Sequence, residues 1–144
     1  MRHKLLHEHN GLRTYALIFE TGDEAMAGLA DFAKSMDLRG SRITAIGAFK
    51  DATLAYFNWE TKQYEKIPVG EQVEVLSLLG DIALDGEEPA VHVHAVLGRR
   101  DGSTVGGHLK EAHVRPTLEV IIDEQPEHLH KAPDRESGLA LIRP

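Results

Sequence analysis

Apolar and polar positions along this chain keep two different periods, and the places where the period changes mark its elements. Residues 13–20 (RTYALIFE) alternate partly and are rich in β-branched and aromatic side chains, which predicts a strand. Thr21 and Asp23 then supply capping chemistry, and Met26, Leu29, Ala30, Ala33 and Met36 recur at helical spacing. Residues 24–37 therefore read as an amphipathic helix whose Met and Phe stripe faces a core. Two short strands follow, 43–49 and 53–59, with a turn at Lys50-Asp51 and another around Thr61-Lys62. The apolar run 73–84 (VEVLSLLGDIAL) is a further strand with Gly80 as a bulge or bend, and 85–89 (DGEEP) is a loop. Strand patterns return at 91–97 and 118–122. A polar, proline-bearing arm occupies 126–137, and the apolar close GLALIRP could dock as an edge strand or against a neighbouring subunit. One helix among many strands, without an internal repeat, predicts an α+β fold: a largely antiparallel β-sheet with one principal α-helix packed on it.

The stretch 89–109 (PAVHVHAVLGRRDGSTVGGHL) adds chemistry to this pattern. On a strand, residues two apart share a face, so His92 and His94 project together while Val91, Val93, Ala95 and Leu97 pack opposite. A turn at Asp101-Gly102 folds the chain back and can bring His108 towards the pair. Three neutral imidazoles arranged in this way make a three-nitrogen site with open positions, suited to Zn²⁺ or another divalent transition metal. Gly106 and Gly107 beside the third histidine permit positive φ and close backbone approach to a ligand. The bland alternative leaves His92 and His94 on the wet face of a half-buried strand and His108 in a loop.

Composition narrows the options. With 144 residues the chain is sized for one domain, 1–144, and its 42% hydrophobic and 27% charged residues are ordinary for a soluble protein. No apolar run reaches the ~18 residues of a membrane span and the N-terminus has no signal-like apolar stretch, so the default location is the cytoplasm. Absence of cysteine excludes disulfides and thiolate ligands, leaving histidine and carboxylate. The formal charge of −7, with basic residues only in small groups, makes direct nucleic-acid binding weak at best.

Other clusters carry less. His3, His7 and His9 could gather on one helical face, but a frayed N-terminus explains them better, and His128 and His130 sit in the exposed arm. Glu111, the carboxylate closest to His108 as a general acid or base, falls on an exposed turn. His113 is the nearby candidate for a fourth ligand should the metal be structural.

Several segments in order, GDEAMAGLADFAKSMDLRGSRITAIGAFKDATLAYF, VEVLSLLGDIAL and HVHAVLGRRDGSTVGGHL, resemble the PPC domain shared by plants and prokaryotes, over residues 12–124, leaving 125–144 as a C-terminal arm. Residues 74–80 (EVLSLLG) and the Asp-Gly to Gly-Gly-His turn at 101–108 look like motifs of that family. The resemblance implies an α+β PPC fold assembled as a homotrimer and a stand-alone prokaryotic member of the kind often described as DNA-binding. In plant members an AT-hook contacts DNA, and this chain lacks its Arg-Gly-Arg-Pro core, so DNA or a DNA-bound partner would be reached weakly if directly. Some prokaryotic members look like metal-binding proteins through histidines at the positions of His92, His94 and His108. Two functions follow: a homotrimeric regulatory or interaction module carrying a metal, or a small zinc-dependent hydrolase or lyase acting on a small molecule.

Overall fold

Long strands dominate the computed structural model, which describes residues 1–143. In chain order the elements are β1 (Arg2–His9), β2 (Leu12–Glu20), α1 (Ala25–Ser35), β3 (Gly40–Asn58), β4 (Gln63–Val69), β5 (Val73–Asp85), β6 (Glu88–Gly98), β7 (Thr104–Glu124), β8 (His130–Pro133) and β9 (Ala140–Arg143). Every strand pairing is antiparallel except a short parallel contact between β8 and β5. The fold is thus mostly β-sheet with one helix among the described residues, as the hydropathy pattern predicts.

Two strands are longer than their patterns suggest. The predicted turn at Lys50-Asp51 does not exist: residues 40–58 form one strand, β3, which pairs with β5 and β7 along its first half and with β4 and β7 along its second. Asp51 looked like a turn residue because it is polar, yet it stays in the ladder opposite His113 and accepts a 2.6 Å hydrogen bond from that side chain. Likewise the predicted strand 118–122 is only the end of β7, which begins at Thr104 and has no β3 partners at Arg115, Pro116 and Thr117. β6 pairs with both β5 and β7, so β3, β5, β6 and β7 close a ring of pairings around the core.

Gly80 is not the bulge. It stays in register between Ile43 and Val93, and a Cβ there would run into the His92 carbonyl and the Val93 side chain. The extra residue of β5 is Leu76, between Val75 and Ser77. Residues 85–89 are not an open loop either, because Asp85 pairs with Glu88 and Gly86 takes φ +63° in a two-residue connection.

Helix α1 buries Ala25, Leu29, Phe32 and Ala33, and partly buried Met26 and Met36 pack on the same core. Its cap is Glu24 rather than Thr21 or Asp23: the Glu24 carboxylate accepts from the backbone N–H groups of Met26 (3.1 Å) and Ala27 (2.5 Å). Asp23 instead accepts from the Glu20 amide at 2.9 Å. Phe19, Phe49, Leu54, Leu78 and Leu97 are wholly buried with it, each contributing about 1.5–3 kcal/mol of transfer free energy.

Both ends are more ordered than their composition predicts. The N-terminus is no frayed tail but β1, exposed along its whole length yet paired with β2. In the C-terminal arm β8 and β9 form a hairpin on the end of β5, so the apolar close supplies an edge strand at Ala140–Arg143.

Candidate metal centre

Strand alternation and one turn build the site. Val93, Ala95 and Leu97 are buried beneath β6, which turns His92 and His94 together to the other face. After Gly98 the chain reverses: the Arg99 amide donates to the Ser103 carbonyl (2.8 Å), Asp101 accepts from the Ser103 amide (2.9 Å), and Gly102 takes φ +83°. The returning β7 sets His108 directly opposite His94. The sequence-predicted trio therefore meets. Its ring centroids are 5.0 Å (His92–His94), 5.0 Å (His92–His108) and 5.4 Å (His94–His108) apart.

One nitrogen from each ring lies within 4.8 Å of the others, and no other group of three metal-ligating side chains comes so close among the described residues. Nε2 of His92 and Nε2 of His94 are 3.2 Å apart. Two nitrogens bound 2.0–2.1 Å from a tetrahedral ion would be about 3.3 Å apart, so the spacing suits zinc as well as it suits a shared proton.

Protonation bears on metal binding, because an imidazolium has no lone pair to give. Burial pushes the His108 pKa down to about 4, helped by the charges of Lys110 and of the neighbouring histidines and Lys131. Burial and then the charge of His92 also lower His94. Neutral rings with free lone pairs are what a divalent cation requires. Nδ1 of His108 is buried without a hydrogen-bond partner in the protein, and the donor set fits a divalent transition metal.

Asp81 stands beside the trio, its Oδ2 3.7 Å from His92 Nδ1, beyond hydrogen-bond reach but close enough for its charge to oppose the lowering of the His94 pKa. It was missed in the sequence, although the tight connection at Gly86-Glu87 carries the signal: counting back along the ladder from Asp85–Glu88 puts Asp81 opposite His92. Tyr64, stacked on His108 at 4.9 Å, and Lys110, 4.0 Å above the Tyr64 ring, were missed as well. They line a cleft of about 550 Å³ that opens on His92 and His108.

Three expectations are corrected. Gly106 and Gly107 do not have positive φ but lie extended in β7, where a Cβ on Gly107 would come 2.8 Å from the Ala55 carbonyl; close packing of strands, not loop flexibility, requires them. Glu111 is on β7 rather than a turn, and its carboxylate lies 4.0 Å from His113. His113 is held by Asp51, which raises its pKa through their hydrogen bond, and it is not in the three-histidine group. His128 and His130 are exposed, His130 on β8.

A mostly antiparallel sheet with one helix and a three-histidine cluster on adjoining strands defines the class of protein. Residues 6–126 match the model of the Plants and Prokaryotes Conserved (PCC) domain, and the chain belongs to that family, the one called PPC above. Among solved structures it is similar to the plant- and prokaryote-conserved (PPC) protein of Pyrococcus horikoshii, with 34% identity, a TM-score of 0.85 and 92% of both chains covered. A metal-containing protein from Archaeoglobus fulgidus is 31% identical, with a TM-score of 0.84 over 91% of this chain and 93% of that one. A protein of Bacteroides thetaiotaomicron, described as a "putative DNA binding protein", is 27% identical with a TM-score of 0.89, covering 98% and 96% of the two chains. The bifunctional protein GlmU of Synechococcus sp. (strain JA-3-3Ab) is 30% identical over 130 residues, 88% of this chain, which spans only 20% of that relative's length.

Proposed function

We propose that this chain is a metal-binding PPC protein that holds a divalent transition ion, zinc foremost, on His92, His94 and His108, and that it acts as a homotrimeric regulatory or interaction module. Convergence of three imidazoles within 4.8 Å, two of them with lowered pKa, carries the metal assignment. The metal-containing relative from Archaeoglobus fulgidus supports it.

Self-association is supported by an apolar depression lined by Ile46, Leu76, Leu79 and Ile121, the first three of which are 62%, 54% and 58% exposed. Clustered apolar surface of this kind favours a partner, and a second copy of the chain is the one proposed. Contact with DNA, or with a DNA-bound partner, is weak if direct, since each copy adds a formal charge of −7.

A zinc-dependent hydrolase or lyase is the alternative that one observation favours, namely the cleft meeting two of the three histidines. A metal bound there would supply Lewis acidity and lower the pKa of a coordinated water towards 7. Glu111 is not the proton carrier, because it lies beside His113 and does not line the cleft.

Elemental analysis of tag-free protein purified without chelator tests the metal assignment. The expected result is close to one transition metal ion per chain, lost in His92→Ala/His94→Ala. Unchanged metal content in that double variant would overturn the assignment.

A further inference from the structure

The metal centre adjoins a cleft whose remaining walls have a composition of their own. Tyr64 and Lys110 border it on one side, and Val91 lies beside His92. The β8–β9 hairpin, which follows the residues matched to the family, contributes Lys131, Leu139, Leu141 and Ile142. Lys131 is the unusual member. Its side chain is only 9% exposed, and its Nζ stands 4.0 Å from Asp81 Oδ1, a buried oxygen that receives no hydrogen bond. A lysine desolvated to that degree normally has a close partner, because an unpaired buried charge is costly. Lys110 likewise spends its charge on the Tyr64 ring, and Asp85 is the one carboxylate residue lining the cleft.

We propose that this cleft binds a small organic acid, with its carboxylate between Lys110 and Lys131 and its apolar body against Val91, Leu139, Leu141 and Ile142, and that Lys131 is a specificity-determining residue. The inference rests on the metal assignment, since two of the three histidines, His92 and His108, line the same cleft. The chemistry favours a carboxylate over a phosphate. Phosphate sites commonly add a guanidinium fork, a helix N-terminus or a nest of backbone N–H groups to any lysine, whereas these walls combine two lysines with aliphatic side chains. An acid bearing a short hydrocarbon chain satisfies both halves of the lining.

Calorimetric titration of metal-loaded, full-length protein with butyrate, acetate, butyramide and inorganic phosphate tests this, with metal content measured on the same samples. Butyrate is expected to bind about tenfold tighter than acetate, from two added methylenes, while butyramide shows no binding. Lys131→Met should weaken butyrate about tenfold or more at unchanged metal content, and Lys110→Met should weaken it in the same direction. Equal binding of butyrate and butyramide, tighter binding of phosphate, or butyrate affinity unchanged in both lysine variants would each overturn the proposal. A loaded protein that ignores butyrate defeats this inference alone. A protein that takes up no metal defeats the metal assignment with it.

Discussion

His108 is a base held where its charged form is poorly solvated, and that has a measurable cost. Its pKa is about 4 in the folded chain against about 6.5 when unfolded, so between those values the unfolded chain binds more protons. The His108 contribution to the stability of the metal-free protein is therefore complete above about pH 6.5 and is lost as the pH drops towards 4. Melting temperatures at pH 7.5 and pH 5 should show a smaller loss for His108→Gln than for the parent; an identical loss would mean that the ring does not drive the change. His94 works in the same direction. His128→Ala/His130→Ala should leave metal content untouched, because both rings are exposed and neither is in the cluster. The trio was legible because a two-residue strand period admits one outcome for His92 and His94. Asp81 and Lys131 were not, since Asp81 is identified by a register count across a turn that was read as loop, and Lys131 by a hairpin that composition disguised as a polar arm.

Among the elements, β6 depends on β5 lying unusually close. Gly80 faces the His92 carbonyl, so Gly80→Ala must push β6 outward and shift both of its histidines. A cost of about 1–3 kcal/mol is expected from overpacking, together with weaker metal retention against a chelator. Denaturant unfolding and metal competition on one sample check the pair; loss of stability with unaltered retention would show that the histidines follow some other support. Glu24 ties α1 to the sheet, because beyond capping the helix its Oε1 accepts from the Ala112 amide at 2.9 Å. Glu24→Ala should cost about 1–2 kcal/mol by chemical denaturation. The helix could be read from its apolar spacing to within two residues at each end. The length of β3 could not, since a Lys-Asp pair reads as a turn unless its cross-strand partner is known.

For the whole molecule, the exposed apolar depression is the feature that a second copy would cover. Leu76→Glu/Leu79→Glu should convert a trimer to monomer by light scattering at micromolar concentration, with metal content retained because neither residue is a ligand. A parent protein that is monomeric at that concentration would remove the trimer altogether. Random duplex DNA should not bind below micromolar concentration at physiological salt, and a steep salt-dependent affinity would expose a basic patch that outweighs the net charge. The ring of pairings also has an order in time. β5 and β6 are neighbours joined by two residues and can zip early, carrying His92 and His94 with them. The start of β7 follows through the short turn at residues 99–103 and sets His108 opposite His94, whereas the partners of β7 on β3 precede the whole β5–β6 hairpin in the chain, and such remote pairings form slowly. All three histidines therefore belong to one local meander, so a chain still folding presents the whole trio before the ring closes, and metal uptake would precede the completion of folding rather than mark it.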